Sequence, residues 1–225
     1  MKKITVDVWS DFVCPWCWIA KKRLERAIEN LPAQVQIVVT NKAYRIARGL
    51  APMDFRQALL QKFGSESSAR SMMQAVADNG AMEGLVYNFN TMRFGDTADA
   101  HALVKSVESA DDQHALIEVL MKSSITDGLN IFDRGTLKDI ALQTGIPEAV
   151  VETCVFEHSK IEHDEMEANR VANGVPLFVF NSKFYLSGAQ PLEVFKQALN
   201  RAIDAAPEEV LAGSGPSCDM GGCRI

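Results

Sequence analysis

Val13-Cys14-Pro15-Trp16-Cys17-Trp18 is the stretch on which the fold of this chain turns. It lies where one periodicity gives way to another. Ile4-Thr5-Val6-Asp7-Val8-Trp9 alternates apolar and polar residues and predicts a strand. From Cys14 the pattern becomes helical, with Ala20, Leu24, Ala27, Ile28 and Leu31 at spacings of three and four. Pro15 falls in the first turn, where its missing N–H costs nothing, and Pro32 lies just past the end. Residues 35–40 are β-branched and predict a second strand. Strand, helix, strand spells a βαβ unit with parallel strands.

Outward from that unit the character changes. Residues 52–145 are rich in Ala, Gln, Met, Leu and Ser. Helical patterns run through Phe55, Leu59, Leu60 and Phe63, through Ala100, Leu103, Val104 and Val107, and through Leu116, Val119, Leu120 and Met121. Residues 82–94, with Met82, Tyr87, Phe89, Met92 and Phe94, fit either a core or an apolar groove for unfolded peptides. Residues 150–157 and 165–171 read as helix. Pro176-Leu177-Phe178-Val179-Phe180 and residues 184–186 form a hairpin about Asn181-Ser182, and Pro191 opens a last helix with Leu192, Phe195, Leu199 and Ile203 on one face. The expected architecture is a thioredoxin-like α/β fold with an inserted all-helical domain. Residues 1–50 and 148–204 would form the thioredoxin-like part, 51–147 the helical insert, and 205–225 a mobile Gly-, Pro- and Ser-containing tail with a second cysteine pair.

Bulk composition excludes several classes. The chain has 225 residues, 47% hydrophobic and 23% charged, with a net charge of −6, so it lacks the basic footprint of nucleic-acid binding. No stretch approaches the roughly 18 apolar residues of a membrane span. Lys2 and Lys3 precede too short and too acidic a run for a signal peptide, and the expectation is an uncleaved cytoplasmic protein. Five cysteines are too few for a disulfide scaffold; two pairs, Cys14/Cys17 and Cys218/Cys223, point to redox chemistry or metal binding.

Thiol–disulfide exchange needs a thiolate near neutral pH and a second thiol one helical turn away. A helix N-terminus supplies free N–H donors and the positive dipole end, and in such motifs the thiol pKa falls from about 8.5 toward about 3.5–7.5. Cys14 is therefore expected as an exposed nucleophile and Cys17 as a buried resolving thiol. Pro15 and Trp16 would meet substrate. Val175-Pro176 opens a strand, and if that bond is cis the Val175 main chain would offer strand-like hydrogen bonds to a substrate peptide; a trans proline starting an edge strand is the alternative.

Several segments together resemble the DsbA-like thioredoxin superfamily, and within it the FrnE-like cytoplasmic branch. They are residues 13–18, Tyr87-Asn88-Phe89-Asn90 leading to Ala100-His101, Asp127-Gly128-Leu129-Asn130-Ile131, residues 174–179 and Gly188-Ala189-Gln190-Pro191. The resemblance implies a cis Val175–Pro176 bond, an insert folded over the active site, and thiol–disulfide oxidoreductase or isomerase activity. The related 2-hydroxychromene-2-carboxylate isomerases and kappa-class glutathione transferases typically carry Ser at the place of Cys14 and lack the second thiol. Periplasmic DsbA proteins usually carry His inside the dipeptide; Trp16 supplies no imidazolium, so a less oxidising couple is expected here.

The substrates expected are protein or peptide thiols and disulfides, with glutathione or a thioredoxin-type protein as reductant and no cofactor. The alternatives are a glutathione-dependent isomerase or transferase and, outside enzymes, a module holding zinc through four cysteines. Cys218 and Cys223 could exchange electrons with Cys14 and Cys17 across a tail reaching about 20 Å. Cys154 reads as a buried apolar residue on a helix. His158 and His163 read as a solvated face, and His101 and His114 as helix residues; only the resemblance turns His101 toward the active site.

Overall fold

The computed structural model describes residues 2–154, 158–207, 218–219 and 222–223. The chain runs β1 (Lys2–Ser10), α1 (Pro15–Glu29), β2 (Val35–Ala43), β3 (Met53–Asp54), α2 (Phe55–Phe63), α3 (Glu66–Met82), β4 (Arg93–Phe94), α4 (Ala98–Ser106) and α5 (Ala110–Lys122). It continues through a π-helical turn (Ser123–Asp127), α6 (Arg134–Gln143), α7 (Glu148–Glu152), α8 (Ser159–Asn169), β5 (Leu177–Phe180), β6 (Phe184–Ser187), α9 (Leu192–Asp204), β7 (Cys218–Asp219) and β8 (Gly222–Cys223).

The main sheet has strand order β2-β1-β5-β6. β1 pairs parallel with β2 and antiparallel with β5, setting Val6 opposite both Val39 and Phe180. Along β1 the buried Ile4, Val6 and Val8 alternate with the less buried Thr5 and Asp7, so the three share the face that meets the core. They pack with Ala20, Leu24 and Ala27 of α1 and with Phe195 and Leu199 of α9. The β5–β6 turn holds Asn181 and Ser182 at positive φ, the conformation a tight hairpin asks for. Asn181 accepts from the Thr5 N–H at 2.9 Å and donates to the Ala202 carbonyl at 2.9 Å, tying turn, β1 and α9 together.

A second core joins the helices of the middle of the chain to the start of α1. Phe12, Val13, Cys14, Cys17, Trp18 and Ile19 pack there with Phe55, Leu103, Leu116, Leu120, Met121 and Leu137. The cysteine pair thus lies where the two cores meet. On the far side, α8 clamps the end of β2: Trp9 Nε1 donates to the Asp164 carbonyl, and Asp164 Oδ2 accepts from the Ala43 N–H. Arg45 and Glu165 form a buried bidentate pair that fixes the loop after β2.

Four expectations differ from the structure. α3 and α6 have no counterpart among the helical patterns above, because α3 buries only Ala69, Val76 and Gly80 and α6 only Leu137, Ile140 and Ala141. The helix expected over 150–157 ends at Glu152, so Cys154 lies in the coil beyond it and is half-buried; residues 155–157 lie outside the described residues. The aromatic and Met-rich segment divides, with Met92 fully buried and Met82 two-thirds exposed (66%). In the tail, β7 and β8 pair antiparallel with Cys218 opposite Cys223. Residues 208–217, expected as linker, lie outside the described residues.

Candidate active site

Cys14 is the N-cap of α1, with Pro15 in the first turn behind it. Its N–H donates to the Asp11 carbonyl at 3.2 Å, and its own carbonyl accepts from the Cys17 N–H at 3.0 Å. No side chain caps this helix end. The positive dipole end of a fifteen-residue helix, its first-turn N–H groups uncapped by any side chain, therefore lies at Cys14.

Cys17 lies one turn deeper and is 1% exposed. Burial is the main cause that pushes its thiol well above the ordinary cysteine range, and the adjacent Cys14 pushes the same way. The pair is chemically asymmetric: one cysteine stands at the helix N-terminus, while the other is held protonated in an apolar setting.

Cys14 itself is only 6% exposed, which corrects the expectation of an exposed nucleophile. α2, α3 and the segment before β5 close over it. Access runs through a cavity of about 320 Å³ whose apolar wall includes Val13, Trp16, Ile46, Phe55, Phe63 and Val175, with Lys62 as the charged lining residue. The Val175–Pro176 bond is cis. The Cys14 sulfur lies 4.0 Å from the Val175 carbonyl oxygen, within reach of a weak S–H···O contact. Gly174 at φ +111° occupies backbone space closed to residues with a Cβ and leads the chain into this approach.

The first turn of α1 is pinned from the segment between α3 and β4. Tyr87 donates from its hydroxyl to the Pro15 carbonyl at 2.8 Å. Burial, with the neighbouring cysteine sulfurs, raises the Tyr87 phenol above its ordinary range, so it remains a donor. Trp18, Tyr87, Phe89 and Phe55 form a ladder of ring contacts from α1 to the cavity wall. Gly80 makes room for it: a Cβ there would fall 2.3 Å from the Tyr87 ring. Further along α1, Trp18 Nε1 donates to Glu118 at 3.1 Å. The buried Arg23 guanidinium donates to Glu83, Asn79 and the carbonyls of Ala189 and Gln190.

Asp11 is fully buried beneath the loop. Its Oδ1 accepts from Thr97 Oγ1 at 2.7 Å and its Oδ2 from the Ile46 N–H at 2.8 Å. The His101 ring packs on Phe12, with centroids 4.4 Å apart, and its Nε2 lies 3.8 Å from Asp11 Oδ1. The sequence singles out neither Asp11 nor Arg23, and Tyr87 only within the aromatic segment 82–94 and the family resemblance; each is a polar residue whose meaning depends on a partner 35 to 166 positions away.

The remaining cysteines and histidines lie elsewhere. Cys154 is outside the cavity lining. His114 contacts Glu25 at 3.0 Å, His158 contacts Asp99 at 3.4 Å, and His163 pairs with Glu167 along α8. Among the described residues no group of three or more His, Cys, Asp or Glu side chains is arranged to hold a metal; the side chains of Cys218 and Cys223 lie outside them. Among the described residues no helix is long and apolar enough to cross a membrane.

A family model described as a DSBA-like thioredoxin domain matches residues 5–200. No curated protein matches the sequence. Among solved structures, one described as a probable DsbA oxidoreductase from Streptomyces coelicolor is 28% identical, with a TM-score of 0.83 and 99% of each chain covered. The cytosolic disulfide reductase DsbM from Pseudomonas aeruginosa, also solved with glutathione, shares the fold at 16% identity and a TM-score of 0.59, covering 89% of this chain and 98% of that one. A 2-hydroxychromene-2-carboxylate isomerase does so at 14% identity and 0.63, covering 88% and 95%.

Proposed function

The chain belongs to the DSBA-like thioredoxin domain family, and from that premise we propose that it exchanges disulfides with protein or peptide substrates through Cys14 and Cys17. The Cys14 thiolate attacks one sulfur of a substrate disulfide. That S–S bond breaks, the departing thiolate takes a proton, and a mixed disulfide with Cys14 forms. Cys17 then loses its proton and attacks the Cys14 sulfur, releasing the second substrate thiolate and leaving a Cys14–Cys17 disulfide. Two electrons pass from the enzyme to the substrate, and the reverse sequence oxidises a dithiol.

One observation carries this reading: the Cys14 sulfur sits at a helix N-terminus, 4.0 Å from the Val175 carbonyl, at the floor of an apolar cavity. An extended peptide beside Val175 could add main-chain hydrogen bonds while an apolar side chain fills the cavity. Pro15, Trp16, Val175 and Pro176 are then the substrate-contacting residues, and residues 51–147 the insert that shapes the entrance. Glutathione or a thioredoxin-type protein would return the enzyme to its dithiol form, a reading supported by the glutathione complex of DsbM. A FrnE-like, cytoplasmic setting belongs to the same proposal. So does exchange with Cys218 and Cys223, which stand opposite one another on the β7–β8 ladder.

Reduction of insulin by the full chain, recycled with glutathione, tests the reading. Cys14→Ser should abolish turnover, and Cys17→Ser should trap substrate on Cys14. Turnover that survives Cys14→Ser sinks the assignment.

A further inference from the structure

Resolution of the mixed disulfide requires Cys17 to give up a proton in a place water does not reach, since its side chain is 1% exposed. The base must be internal. Asp11 is the carboxylate at hand: it is fully buried, its carbonyl accepts from the Cys14 N–H at 3.2 Å at the head of the turn that carries Cys17, and its charge acts on the Cys17 thiol. Yet both Asp11 oxygens are already engaged, Oδ1 by the Thr97 hydroxyl and Oδ2 by the Ile46 N–H.

Beside it stands an anomaly. Nε2 of His101 is the one buried side-chain polar atom among the described residues without a hydrogen-bond partner. A buried imidazole nitrogen left unmatched costs stability, and such an atom calls for a reason. Asp11 is the only charged side chain within ion-pair distance of His101 among the described residues, at 3.8 Å. That gap is slightly too long for a hydrogen bond, and a small ring movement closes it.

We propose that His101 is the proton store of the resolving step, coupled to Cys17 through Asp11. The proton leaves Cys17 Sγ, passes by way of the Asp11 carboxylate and comes to rest on His101 Nε2, whose new N–H donates to Asp11 Oδ1. The freed Cys17 thiolate attacks Cys14, and the departing substrate thiolate takes a proton from solvent. Proton and charge balance, and the ion pair formed is neutral as a whole in its buried site. His101 acts here through Asp11 and is a positioning residue. The inference rests on the proposed redox reading of Cys14 and Cys17.

Oxidised glutathione is the probe. The reduced full chain is mixed with it, quenched with acid at intervals, and the Cys14–glutathione adduct is followed by peptide mass mapping. In His101→Gln and Asp11→Asn the adduct should form at the wild-type rate but clear on the order of 10²-fold more slowly. Its clearance should also rise about tenfold per pH unit as hydroxide replaces the lost base. Phe12→Leu loosens the same packing and should clear near the wild-type rate; slowing equal to that of His101→Gln would assign the effect to packing and overturn the proposal. Wild-type clearance in both acid–base variants would overturn it as well. If the wild-type chain forms no Cys14 adduct, the redox reading falls first. The imidazole ¹⁵N resonances of the wild-type protein need no variant: His101 should titrate differently in the dithiol and disulfide forms, and identical curves would refute its role.

Discussion

The Tyr87 hydroxyl donates a 2.8 Å hydrogen bond to the carbonyl of Pro15, seventy-two residues earlier in the chain. Pro15 follows Cys14 directly, so a side chain from the segment between α3 and β4 holds the first turn of α1. That contact makes the alignment of Cys14 a property of Tyr87 as much as of α1 itself.

Removing the contact should loosen the site before it unfolds the protein. Tyr87→Phe keeps the ring ladder and loses one hydrogen bond, for an expected cost of about 1 kcal/mol in urea unfolding. Gly80→Ala should cost more, about 1–3 kcal/mol, because its Cβ would meet the Tyr87 ring at 2.3 Å. Both should slow alkylation of Cys14. Unaltered Cys14 reactivity in both variants would separate Tyr87 from the site.

Arg23 and Glu83 are both almost wholly buried, at 6% and 4% side-chain exposure. Arg23→Met leaves Glu83 with only the more exposed Arg26 and frees the Ala189 and Gln190 carbonyls. The expected loss is about 3–5 kcal/mol, and Arg23→Met combined with Glu83→Gln should recover part of it. A double variant no more stable than the single would mean that the two residues do not act as a pair.

Acid should weaken the attachment of α1 to α5. Burial opposes ionisation of Glu25, but His114, Lys21 and Lys22 outweigh it and hold the carboxyl at about 2; Glu118 is lowered in the same direction. A folded value below the unfolded one, near 4.3, means that the unfolded chain binds protons more readily. This stability is present above about pH 4.3 and is lost as the pH falls toward 2. Melting curves should show Glu25→Gln less stable than wild type at pH 6 and converging with it near pH 2. Parallel curves across that range would contradict the assignment.

Trp16 offers no positive charge to the Cys14 thiolate. The couple should therefore be less oxidising than the roughly −120 mV of DsbA, and Trp16→His should raise it, each tenfold gain in oxidising equilibrium being about 30 mV. Equilibration with glutathione measures both. A wild-type potential equal to that of DsbA would show that the dipeptide does not set it.

Much of the frame was legible because it rests on local periodicity. β1, α1, β2, the β5–β6 hairpin and α9 carry runs of apolar residues at two- or three-to-four-residue spacing, and the turn at Asn181-Ser182 carries residues that tolerate positive φ. α3 and α6 were not, since they bury small residues or few of them, and a helix covering another core needs no strong stripe of its own. The burial of Cys14 was equally hidden, because α2, α3 and Val175 that cover it arrive from far along the chain.

The sequence by itself determined the chemistry available: two thiols one helical turn apart behind a strand, a proline in the first turn, and a Val-Pro step at the head of a later strand. Spacing along a helix is a local quantity, and local quantities survive in a linear string. Tertiary structure alone decided how deeply Cys14 is covered, what holds the first turn of α1, and that a histidine on α4 comes to lie beside Asp11 with a free nitrogen. Those are matters of burial and of contacts between distant residues, which exist only once the two cores have packed.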